Sequence, residues 1–227
     1  MAKEQRRYHH GDLRRTLVDA ALRIVEQAGP GALSLRELAR RAGVSHAAPY
    51  RHFASREALL EALAIEGFRG LGDEMQACGG DERDPLLRFR ALGVAYVRYA
   101  VAHPGHFKVM FSSELHEAEQ SPELRAAGEP TLQALVDCLA EGQRAGVVRD
   151  GEPAALAVPA WSIVHGIAML LIDGQLAALV GDEVDAEAQA RAVIDVLAHG
   201  LAKRAPKKSK LKSNAKSKSK VTRKARR

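Results

Sequence analysis

Tyr50, Arg51, His52 and Arg56 are hydrogen-bond donors crowded into one short stretch. Ser45, His46 and Ala47 stand just before them, and Ser34 and Arg36 a little further upstream. Cationic and hydroxyl donors at this density are chemistry for a polyanion. Arg, His and Tyr side chains grip phosphate oxygens, and residues at the start of a docked helix reach base edges. The small side chains of Ala47 and Ala48 allow close approach but read little beyond a thymine methyl group. The plainer reading is a solvated surface beside a helix cap.

Those residues need elements to hold them, and the stretch SLRELARRAGVSHAAPYRHF supplies the signals. Ser34 followed by Glu37 is a capping box that opens a helix. Leu35, Leu38 and Ala39 give that helix one apolar stripe, and Gly43 ends it in the left-handed conformation. Ser45 caps a second short helix carrying His46 to His52. Because proline is tolerated only in a helix's first turn, Pro49 requires this helix to begin at or near Ser45. Two short helices joined by a tight glycine turn form a helix-turn-helix, whose second helix enters the major groove of duplex DNA. A preceding helix from Asp12 to Ala28, stopped by Gly29-Pro30-Gly31, supports the pair. A following helix, capped by Ser55, carries Leu59, Leu60 and Leu63 inward and runs to Gly70 or beyond.

The string VSHAAPYRHFASREALL, with the helix before it, resembles the DNA-binding domain of the TetR-type transcriptional regulators. The resemblance rests on Tyr50 and Phe53 closing the recognition helix and on Ser55-Arg56-Glu57 opening the next. It spans roughly residues 10–70 and departs at Pro49, where the family more often has leucine. It implies that Tyr50, His52 and Arg56 hold phosphate and that a homodimer binds a palindromic operator. A ligand in a C-terminal helical domain would then control binding, most often as a repressor.

Beyond residue 70 the apolar spacing is helical throughout, and no useful length alternates with a period of two, so the expected fold is all-α. A loop covers 77–84. Pro85 opens a helix to Ala102, His103-Pro104-Gly105 breaks it, and 106–111 forms a short apolar turn of helix. Residues 112–128 read as polar. Pro130 starts a helix ending at Gly146, and further helices cover Pro153–Val180 and Asp185–Ala202. Trp161-x-x-x-His165-Gly166 and the run HPGHFKVMF at 103–111 resemble one C-terminal subclass of the same family, named for its Trp-His-Gly signature. The resemblance implies dimerisation through the last two long helices. Phe89, Tyr96, Phe107, Met110, Phe111, Trp161, His165 and Met169 are candidates for an effector cavity, with plain core packing as the alternative. Trp161 and His165, four apart on a helix, share a face. His165 either offers polar atoms to a ligand or is a core histidine bonded to backbone.

Charge divides the chain in three. Residues 1–70 carry +4, residues 71–202 carry −11 and residues 203–227 carry +13, within a net +6. A basic head, an acidic body and a basic, low-complexity tail suggest that the two ends meet nucleic acid. The expected organisation is a flexible basic arm (1–10), the helix-turn-helix domain (11–70), an effector-binding and dimerisation domain (71–202) and a disordered tail (203–227). The tail would neutralise phosphates without reading sequence, and a nucleoid-associated architectural protein dominated by that tail is the alternative function.

Cys78 and Cys138 have no CxxC context, which fits a reducing cytoplasm and argues against zinc. His103-x-x-His106 straddles a break rather than one helix face, so no metal is expected. No phosphate-binding glycine loop or nucleophile elbow occurs, so neither an enzyme nor a cofactor is expected. The apolar run Trp161–Ile172, interrupted by His165, reads as too short for a membrane span, which needs about 20 residues.

Overall fold

The structure, a computed structural model, describes residues 10–80, 82–116, 121–176, 181 and 185–202. The N-terminal arm to residue 9, the segment 177–180 and the basic tail lie outside the described residues. Within them the chain is helical, with an isolated antiparallel bridge between Val148 and Ala202.

The head begins with α1, His10–Ala28, whose Leu17, Val18, Ala21, Ile24 and Val25 are buried. Asp12 lies inside this helix rather than capping it. A short 3-10 turn, Pro30–Ala32, leads to α2, Leu35–Ala42. The long α3, Arg56–Gly79, opens with Ser55 accepting a hydrogen bond from the Ala58 amide. Helix α3 takes up Ala77, Cys78 and Gly79, residues expected in a loop. Its leucines at 59, 60 and 63 close the head, while Leu71 and Met75 belong to the body.

In the body, α4 (Pro85–Ala102) is capped by Asp84 and followed at once by α5, Pro104–Met110. After the single turn α6 (Ser113–His116), α7 runs from Pro122 to Arg144. The expected start at Pro130 is therefore too late: Ser121 caps the helix through the Leu124 amide at 3.1 Å, and Pro130 is carried inside it. Ser-Pro-Glu, with an N-cap hydroxyl, a proline at the first helical position and an early carboxylate, is a helix start in its own right.

Helix α8 covers Pro153–Ile172, shorter than the expected run to Val180, and α9 covers Ala186–Leu201 with Asp185 as its cap. Helix α3 packs on α4, α5 and α7, while α8 packs on α4, α7 and α9. By length and composition, α8 is long and apolar enough to cross a membrane, which corrects the shorter estimate from Trp161–Ile172. It rests on its neighbours through Leu156, Ala157, Ala160, Val164, Ile167 and Ala168, but Val158, Ile163 and Leu170 are exposed.

Candidate nucleic-acid interface and effector cavity

The reading head is built on tight turns. Ser34 Oγ accepts the Glu37 amide at 3.2 Å, and the hydroxyl keeps its own hydrogen to donate. Gly43, at φ 66°, turns the chain out of α2, and the Val44 amide returns to Ala39 O at 3.0 Å. Beyond it the expected α-helix does not form. Residues 46–48 make a turn, and Pro49–Arg51 is a single 3-10 turn. Pro49 has no amide hydrogen for Ser45 O, so that carbonyl accepts from Ala48 instead, at 2.9 Å. The Arg51 amide likewise bonds Ala48 O at 3.2 Å, and that of His52 bonds Pro49 O at 2.9 Å. Three-residue spacing tightens the segment.

Pro49 and Phe53 point inward as its anchors. Ser45, His46, Ala47, Tyr50 and Arg51 are exposed, as are Ser34 and Arg36 on α2, while His52 is half-buried. Arg14 of α1 lies over the Phe53 ring, 5.4 Å from its centroid.

Arg56 departs from the expectation. Its Nε donates to Leu33 O at 2.8 Å and its Nη2 to Pro30 O at 3.0 Å, with Glu114 of α6 at 3.5 Å. This guanidinium ties the start of α3 to the turn before α2, committing two of its donors to backbone carbonyls. Arg40 and Arg41 are also occupied, since both pair with Glu37, whose carboxyl they pull down to about 2.

In the body, a cavity of about 560 Å³ opens between α3, α4, α7 and α8. Five of the sequence candidates line it: Phe89, Tyr96, Met110, Phe111 and Trp161. Phe107 is fully buried and packs edge-on against Tyr96, so it supports the wall without forming it. Met169 packs against the core and is not part of the lining.

His165 also stands behind the wall, and its partner is neither backbone nor open space. Trp161 Nε1 donates to the Tyr96 hydroxyl at 3.1 Å, and that hydroxyl meets His165 Nδ1 at 2.9 Å. Burial raises the Tyr96 phenol well above its ordinary value and lowers His165 below its own. Both are therefore neutral near pH 7. With the indole already donating to the phenol oxygen, the phenol proton is left for Nδ1, which places the imidazole hydrogen on Nε2.

Sequence reasoning missed the lining that comes from α3 and α7. Phe68 and Met75 look from α3 into the cavity, and Leu124, Arg125, Glu129 and Leu132 close it from α7. The signal that could have found the α7 residues is the Ser121 cap, which makes 122–129 helical and brings Leu124 inward.

Residues 17–63 match the family described as bacterial regulatory proteins, tetR family, and residues 89–197 match the tetracyclin repressor-like C-terminal domain. The chain belongs to the TetR family. Like other TetR-family proteins it is a DNA-binding transcriptional regulator, not an enzyme. A structure of a protein with unknown function from Rhodococcus sp. RHA1 is 37% identical; the alignment covers 88% of this chain and 100% of that one, with a TM-score of 0.72. The TetR family regulator PfmR from Thermus thermophilus shares the fold at 24% identity and a TM-score of 0.67, over 81% of this chain and 97% of its own. An uncharacterised HTH-type regulator of Mycobacterium tuberculosis is 26% identical over 84% of this chain and 82% of its own length.

Proposed function

We propose that the protein is a ligand-responsive repressor that binds a palindromic operator in the cytoplasm as a homodimer. The observation that carries the reading is the shared use of α3. Its first turn closes the DNA-reading head, and its Phe68 and Met75 line the apolar cavity. A ligand that prefers one setting of α3 would shift the heads between DNA-competent and DNA-incompetent spacing, and only in proportion to that preference. Dimerisation is supported by the uncovered apolar residues of the last two helices, Val158, Ile163 and Leu170 on α8 and Val196 on α9. The twin heads would enter successive major grooves about 34–36 Å apart. Ser45, His46 and Ala47 would face base edges, and Ser34, Arg36, Tyr50, Arg51 and His52 would hold backbone. The Trp161–His165–Gly166 run supports placing the body in the Trp-His-Gly subclass.

A second reading, a nucleoid-associated architectural protein, is favoured by one feature, the +13 tail at 203–227. The test is a genomic DNA selection at two salt concentrations with the full chain and with a chain ending at 202. The expected result is a palindromic site enriched by both chains at high salt, with a shallower salt dependence for the shortened one, since each phosphate neutralised contributes about 0.9 to the slope. Enrichment that needs the tail and vanishes with salt would transfer the role to the architectural reading.

A further inference from the structure

Helix α5 touches both halves of the molecule. At Gly67 of α3 a Cβ would lie 2.7 Å from Met110 Sδ and 3.1 Å from His106 Cβ. At Gly105 a Cβ would lie 3.1 Å from Leu22 O of α1. Met110 lines the cavity, so the cavity wall and the head meet on this one short helix.

His106 is the polar residue sealed into that joint. It is only 9% exposed, and its Nε2 is buried with no hydrogen-bond partner. Glu66 Oε1 lies 3.5 Å away, too far for a good hydrogen bond. The same oxygen lies 3.5 Å from Arg15 Nη1 on α1. One carboxylate oxygen thus stands midway between a permanent cation and an imidazole that can become one.

The remaining charged and titratable neighbours are few. On α1, Asp19 holds Arg15 Nε at 2.9 Å, and Glu26 stands against Gly105. Between α4 and α5, the His103 ring is 6.1 Å from that of His106, and Tyr99 of α4 packs against His103 at 4.6 Å. Lys108 faces away, paired with Asp173 at 3.2 Å.

We propose that Glu66 is a shared partner whose transfer from Arg15 to protonated His106 makes the joint between head and body, and hence operator binding, sensitive to acid. At neutral pH the imidazole is uncharged and Glu66 stays with Arg15 across α1 and α3. On protonation, Nε2 gains a formal charge beside Oε1, and a charge-assisted bond contracts toward about 2.8 Å. Arg15 is then left to Asp19, which already holds it. The α1–α3 link is given up for an α3–α5 link, and a charge enters a site built for a neutral ring.

Burial holds the His106 imidazole below its ordinary value, with Glu66 opposing and His103 and Arg15 reinforcing. The folded chain therefore binds this proton less readily than the unfolded chain. The stability it contributes is complete above the unfolded value of about 6.5 and is lost as pH falls below it.

The proposal rests on the DNA-binding reading only for its final consequence, so its test separates the two. The His106 Cε1–H resonance is titrated by NMR in the full chain and in the variants Glu66→Gln and Arg15→Gln. Glu66→Gln should lower the His106 midpoint and Arg15→Gln should raise it. Thermal unfolding of wild type should lose ground to His106→Gln between pH 7.5 and 5.5. Affinity for a site recovered by genomic selection should fall about fivefold in wild type relative to His106→Gln over the same interval, the lower range for coupling between two sites. Any histidines of the head are common to both proteins and cancel in that ratio. If His106→Gln fails to fold, the two NMR variants still decide. A His106 midpoint indifferent to Glu66→Gln, or identical pH profiles for wild type and His106→Gln, would overturn the proposal. If no site is recovered, the DNA-binding reading fails while the midpoints still judge the exchange.

Discussion

Tyr50 holds its ring out to solvent, 58% exposed, while Arg56 commits its guanidinium to the carbonyls of Pro30 and Leu33. The two should therefore fail in opposite ways. Tyr50→Ala should weaken DNA binding and leave the melting temperature within the scatter of surface substitutions, about 0.5 kcal/mol. Arg56→Ala should destabilise the head by about 1–3 kcal/mol, because two carbonyls lose a charged donor in a half-buried setting. Melting curves and a duplex-binding titration on the same pair check both halves. Equal loss of stability in the two variants would refute the division of labour. The residue types alone could not make it. Arg56 reads as a phosphate donor in sequence because nothing local reveals that the Pro30 and Leu33 carbonyls lie beside it. Tyr96 and His165 pose the same difficulty: their hydrogen bond joins α4 to α8, a pairing that no sequence spacing encodes.

At the scale of elements, the signals that hold are local. Ser34 with Glu37, Gly43, Asp84 with Pro85, and Asp185 each begin or end a helix where their chemistry says they should. The departures come where two local rules compete. Pro49 reads in sequence as a first-turn residue of an α-helix, yet without its amide the segment from Ser45 to His52 is held by three-residue hydrogen bonds instead. Pro130 reads as a helix start, although the Ser121 cap upstream already opens α7 and tertiary packing carries the helix through the proline. Replacing Ser121 with Ala should therefore cost about 0.5–2 kcal/mol. It should also loosen Leu124 and Arg125 at the cavity mouth, an effect that urea melts and hydrogen exchange of the 122–129 amides would register. Exchange unchanged across those amides would mean that packing, not the cap, holds the first turns of α7.

The whole molecule is a basic head on an acidic body, with charges of +4 and −11 ahead of the tail. That partition is legible from the sequence, as are the helical class and the location of the head. The cavity is only half legible, since the aromatic candidates of α4, α5 and α8 stand out in sequence while Phe68 and Met75 of α3 and the residues of α7 read as ordinary helix faces. The apolar face shared by α8 and α9 gives the assembly its own test. Val158→Asp with Val196→Asp should convert a dimer to a monomer in sedimentation and weaken operator binding, while circular dichroism stays helical. A wild-type chain that already sediments as a monomer would remove the basis for twin heads. The close contacts of α3 carry a last consequence. Gly67 and Gly70 leave room for Met110 and Tyr99, where a Cβ would lie 2.7 Å from Sδ in one case and from the phenol oxygen in the other. Each glycine costs the helix about 1 kcal/mol of intrinsic propensity relative to alanine. The strut between head and body therefore owes its helical form to its neighbours. Adding a methyl group at either position would force Met110 or Tyr99 aside, and the overpacking would offset the gain in helical propensity.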